Sequence, residues 1–166
     1  MTTGEVLADQ IEKTREWTLK LIADLEGDDW THQPQPGFQH ALWLCGHLAC
    51  AQELLLFQRC LNRPVLEPGF LAHFPIGGPI LSAGEHDWPG PAVVLQKMDE
   101  MQQVTLETVA GLDDNLLAEP AYGQDGTKHP HYDTKLGAIG HVVRHEAFHA
   151  GQLAMLRRLR GKKFLR

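Results

Sequence analysis

His141, His145 and His149 recur every four residues near the end of the chain. On a helix such neighbours share one face, with Cβ atoms about 5–6 Å apart, so an adjacent pair can grip one metal ion. The first and last lie about 12 Å apart along a helix axis, too far for one ion to take all three. The apolar rhythm selects the pair. Ala138, Val142, His145, His149, Gln152, Leu156 and Leu159 follow steps of four and three, and His141 stands beside that stripe. His145 and His149 are therefore expected to look inward. A small rotation of the helix would put His141 in the place of His149, and that alternative stays open.

A third histidine is expected to meet them. His47 falls in the stripe Trp43, His47, Cys50, Leu54, Phe57 and Leu61. A lone inward histidine is usually a hydrogen-bonded core residue, but three unpaired imidazoles are costly to bury together. One divalent cation would satisfy all of them. Three neutral nitrogen donors suit zinc, nickel, copper or ferrous iron, not magnesium or calcium. Zinc and nickel are the first expectation. Three protein ligands also leave a coordination position open for water or a small-molecule substrate, whereas a closed structural site needs a fourth ligand. Cys50, one turn from His47, is the candidate for that fourth place.

Residues 145–149 read HEAFH, a literal H-E-x-x-H. In metalloproteases of that signature the two histidines bind zinc and the glutamate is the general base. The context here does not fit. No Asp, Glu or His follows His149, and the glycine lies two residues past it, at Gly151. Glu146 is expected to point away from the metal, at the surface or behind the ligands. No residue is assigned as catalytic.

Four helices must position these side chains. The first is expected over about 3–26, with Leu7, Ile11, Thr14, Thr18, Leu21 and Leu25 on one face. Thr2 and Glu5 have capping-box spacing, and Gly27 is the stop. The second, about 40–61, is apolar on most of its circumference and should be central. The third, about 91–112, turns Val94, Met98, Met101, Thr105 and Leu112 inward. The fourth runs over about 134–160, from Asp133 or Thr134 as N-cap to Gly161. Two long connections, 63–90 and 116–133, carry aromatic residues, and loops of that length usually serve function or contact. The expectation is one all-α domain over residues 1–166, a four-helix bundle.

Charge narrows the partners. Lys and Arg number 15 against 21 Asp and Glu, a net charge of −6. That balance offers no broad basic face for phosphate backbones, so nucleic acid is not expected. Arg157, Arg158, Arg160, Lys162, Lys163 and Arg166 cluster at the end of the fourth helix, where they suit its dipole or a local anion. No apolar run reaches the roughly 18 residues of a membrane span, and residues 1–13 do not read as a leader. Three cysteines, Cys45, Cys50 and Cys60, read as buried small hydrophobes in a reducing, cytoplasmic compartment.

The segments ALWLCGHLACAQELL (residues 41–55) and LGAIGHVVRHEAFHAGQLAMLRRLRG (residues 136–161) resemble the signatures of the DinB-like (DinB/YfiT-type) metalloenzyme superfamily. These are W-x3-H-L on the second helix and H-x3-H-E-x2-H-x-G-Q on the fourth. The resemblance implies an up-down-down-up four-helix bundle, often a homodimer, with a metal held by His47, His145 and His149. It also implies a thiol S-transferase type of chemistry for some members, using a low-molecular-weight thiol. His40 and His141 could contact the ligands or the substrate, Gln152 could hold a ligand in place, and Thr14 and Thr18 could line the pocket. The expected function is a metal-dependent thiol transferase. The alternatives are a metal-binding module without turnover and a hydrolase in which metal-bound water attacks.

Overall fold

The computed structural model describes residues 1–123 and 125–165. Arg166 of the basic cluster lies outside the described residues. Helix α1 spans Thr3–Ile22 and begins in the expected capping box. The Thr2 hydroxyl accepts from the Glu5 amide at 3.2 Å, and the Glu5 carboxylate accepts from the Thr2 amide at 2.7 Å. Helix α2 spans Ala41–Gln52, and every one of its residues is buried. Short α3 (Pro68–Leu71) and α5 (Asp114–Ala118) lie in the two long connections. Helix α4 spans Pro91–Ala110, and α6 spans Lys135–Leu159 with Thr134, not Asp133, as its N-cap.

Contacts between helix ends fix the directions. Gly4 is so near the end of α4 that a Cβ there would meet the Val109 carbonyl oxygen at 2.5 Å, so α1 and α4 run antiparallel. At the other end of α1, the Leu21 carbonyl accepts from Arg157, near the end of α6, so α1 and α6 run the same way. Cys60, past the end of α2, bonds the carbonyl of Lys135 at the start of α6, which makes α2 antiparallel to α6. The order is up-down-down-up over the four long helices, an all-α bundle with no strand among the described residues. No helix is long and apolar enough to cross a membrane among those residues.

The second helix departs from the expected continuous run. It changes at Glu53 into a π-helical turn over Glu53–Gln58. Glu53 is fully buried there, and its carboxylate accepts from the amides of Val65 and Leu66, both at 3.0 Å. From that turn onward the inner face shifts. Leu55, Leu56 and Phe57 are buried, while Leu54 and Leu61 are only half-buried.

Charged residues displace two expected inner positions. On α1, Arg15 is buried and Thr14 is not. On α6, Arg157 is buried beside Leu21 and Asp24, which leaves Leu159 at 60% exposed, not in the core. Three of the six basic residues are taken up by ion pairs within the molecule, and of these only Arg157 is buried. Arg157 pairs with Asp24, and Arg160 and Lys162 pair with Asp29 at 2.7 and 2.8 Å. Those cations hold the Asp29 carboxyl well below the usual range. All three cysteines are free and buried, and burial pushes each thiol up to about 12.

Candidate metal centre

His47 sits mid-way along α2, and His145 and His149 sit one turn apart on α6. The antiparallel crossing brings their Nε2 atoms together. His145 Nε2 is 3.2 Å from His47 Nε2 and 3.1 Å from His149 Nε2. Ligand atoms of all three lie within 4.8 Å of one another. Bonds of about 2.0–2.1 Å to one ion put neighbouring nitrogens about 2.9 Å apart at a right angle and about 3.3 Å apart in a tetrahedron. The two measured separations fall between these values.

The protons do not resolve the cluster by themselves. His149 Nδ1 lies 2.6 Å from Gln152 Oε1, which only accepts, so Nδ1 carries the proton and Nε2 presents a lone pair. A proton on His145 Nε2 can serve one neighbour, not both, so one close contact sets lone pair against lone pair. Extra protonation is disfavoured. Burial first, and then the neighbouring imidazoles, pushes His47 down to about 3 and His145 down to about 4. Burial also lowers His149, against the opposing pull of the Gln152 bond and the Glu146 charge. In addition, His47 Nδ1 is buried without a hydrogen-bond partner. A central cation would remove the lone-pair conflict, so this nitrogen set fits a transition metal.

Packing holds the rings in place. The His47 ring stacks on Trp43, with centroids 4.4 Å apart and planes 12° from parallel. Phe74 caps Gly46, the neighbour of His47, so tightly that a Cβ there would meet its ring at 2.2 Å. Behind the three histidines, Glu146 is buried and paired with Arg15. The glutamate of H-E-x-x-H is therefore neither at the surface nor part of the histidine cluster.

The other expected residues divide. Gln152 meets His149, its Oε1 at 2.6 Å from Nδ1. His141 is outside the three-nitrogen cluster, its ring 5.7 Å from that of His145 and 5.5 Å from Tyr132. His40 is the N-cap of α2, where its Nδ1 accepts from the Trp43 amide at 3.1 Å, and it packs edge-on to Trp88. It does not join the cluster, and neither does Cys50. Thr14 and Thr18 hydroxyls bond carbonyls of their own helix. Arg15 was not legible as a contributor, because an arginine on an apolar face reads as an interruption. Tyr132 had only its place in a long loop to mark it.

The sequence matches the DinB superfamily over residues 10–153. No curated protein matches it. Two solved structures are similar in fold. A "conserved protein of locus" from Enterococcus faecalis has a TM-score of 0.71 at 16% identity, over 98% of this chain and 99% of that one. YfiT from Bacillus subtilis, described as a probable metal-dependent hydrolase with an unusual four-helix bundle topology, has a TM-score of 0.69 at 17% identity, over 98% and 91% of the two chains.

Proposed function

The chain belongs to the DinB superfamily, and from that premise we propose that His47, His145 and His149 hold one divalent transition metal, zinc or nickel, in a metal-dependent enzyme for a small molecule. The observation that carries this reading is the convergence of three Nε2 atoms whose lone pairs no sharing of protons can satisfy. The description of YfiT points the same way. A metal there supplies Lewis acidity that lowers the pKa of a water or thiol brought to it.

The chain's own residues supply orientation. Gln152 fixes the tautomer of His149, Trp43 fixes the plane of His47, and the Arg15–Glu146 pair anchors α6 behind both of its ligands. The reaction we propose is transfer of a low-molecular-weight thiol to an electrophilic small molecule. Hydrolysis is the second reading, favoured by the description of YfiT. The same reading takes the protein as a cytoplasmic homodimer that needs neither nucleic acid nor membrane.

The test begins with metal content per chain, by elemental mass spectrometry, in protein purified without a nickel column. About one equivalent in wild type, lost in His47→Ala, is the expected result. No metal after soaking with zinc and nickel would overturn the ligand assignment. Metal-loaded protein is then offered mycothiol, bacillithiol or glutathione with electrophilic acceptors, and separately esters and amides without thiol. Turnover only with a thiol supports transfer, turnover without one supports hydrolysis, and saturable metal without turnover leaves a binding module.

A further inference from the structure

A groove of about 190 Å³ lies one side chain away from His149, lined by Pro34, Phe38, Gln39, Gln152, Met155, Leu156 and Leu159. Five of those seven residues are apolar. Three of them are large side chains left more than half exposed, Phe38 at 53%, Met155 at 64% and Leu159 at 60%. Leaving so much apolar surface in water around one concavity is unfavourable unless something covers it. The wall opposite α6 is preformed. Gln33 donates to the Phe38 carbonyl at 2.8 Å and to that of Ile80 at 3.3 Å, which ties the loop down on the connection before α4.

Gln152 stands between the groove and the metal centre. It lines the groove, and its Oε1 takes the Nδ1 proton of His149. The groove therefore starts one side chain away from His149, on the Nδ1 side of its ring, and continues along the last two turns of α6, away from His145. We propose that it receives the apolar arm of the metal centre's own substrate, whose polar head reaches the metal. The substrate class is an amphipathic small molecule, with a metal-seeking oxygen or sulfur head and an alkyl or aryl tail. This inference rests on the metal reading above. It assigns Phe38, Met155 and Leu159 as the specificity-determining contacts of that site.

Two hydroxamates with the same chelating head test it, acetohydroxamate and octanohydroxamate. Each is titrated calorimetrically into zinc-loaded full-length protein whose zinc content has been measured. Octanohydroxamate should bind wild type about ten-fold or more tightly than acetohydroxamate, because the buried methylenes contribute only partly in an open groove. Met155→Glu should erase that advantage. Acetohydroxamate, too short to reach Met155, should bind wild type and variant within about two-fold. Leu159→Gln, also at an exposed position, repeats the test should Met155→Glu misfold. Equal affinity of the two probes in wild type overturns the groove assignment while the metal reading stands, and so does a tail advantage that survives both substitutions. Absence of bound zinc overturns the metal reading and the groove with it. A dimer in wild type that becomes monomeric in Met155→Glu, by sedimentation, assigns the face to a second copy and overturns the proposal.

Discussion

Arg15 and Glu146 face each other inside the bundle, Nε to Oε1 at 2.7 Å and Nη2 to Oε2 at 3.1 Å, on side chains 4% and 2% exposed. The remaining guanidinium nitrogen donates to the Met98 carbonyl at 2.9 Å, so one arginine ties α1 to both α6 and α4.

Removing one partner of this pair should cost far more than removing both. Arg15→Ala strands a buried carboxylate, and about 3–5 kcal/mol of stability should be lost in urea unfolding. Arg15→Met with Glu146→Leu should recover most of that loss. Glu146→Gln should keep one metal per chain, since its carboxylate faces Arg15. Loss of bound metal in Glu146→Gln, with the fold intact by circular dichroism, would contradict this placement.

Gln152 is expected to act on metal affinity through His149. Gln152→Leu removes the acceptor of the Nδ1 proton, and zinc affinity should fall about 10–100-fold by competition with a chelating dye. Gln152→Glu, which keeps an acceptor, should restore much of it. Equal affinities in all three proteins would dismiss the support role.

His40 gives the apo protein a pH dependence. Burial lowers it to about 4, with the nearby Trp30 and Leu81 carbonyls opposing the drop. The unfolded chain then binds a proton that the folded chain refuses, so stability rises with pH. It should fall as pH drops from about 6.5 toward 4. At pH 5 this group alone should account for about 2 kcal/mol of the loss relative to pH 7. His40→Asn, which keeps an N-cap, should flatten urea-derived stability over that range by a similar amount. An unchanged slope would assign the pH dependence elsewhere.

Gly46 is required by contact and not by backbone conformation. A Cβ would sit 2.2, 2.3 and 2.5 Å from three ring carbons of Phe74. Gly46→Ala should cost about 1–3 kcal/mol through overpacking. Adding Phe74→Leu should relieve part of it. A Gly46→Ala protein as stable as wild type would show that the loop carrying Phe74 yields freely.

The three converging histidines were legible because two simple periodicities place them. Leu44, Leu48 and Ala51 mark α2 as central, and the stripe through Ala138, Val142 and Leu156 turns α6 by the right amount. Much of the remainder was hidden in residues whose types point outward. Arg15, Glu146 and Arg157 are buried because each finds a partner on or just past another helix, which no single-helix pattern contains. The π-helical turn was equally silent, since the carboxylate of Glu53 answers two amides that follow it by more than a turn. Leu159 misled for the complementary reason. Its stripe was right in phase, but Arg157 took the inward place at the end of the bundle.

The sealing of Cys45, Cys50 and Cys60 has a practical side. Their thiols, buried and held up to about 12, should be almost wholly unionised near neutral pH and react slowly with maleimides. The wild-type chain is thus its own blank for labelling. A Met155→Cys substitution would introduce one reactive handle at the rim of the groove, where an attached fluorophore or spin probe could report arrivals at the histidines without any native cysteine having to be removed.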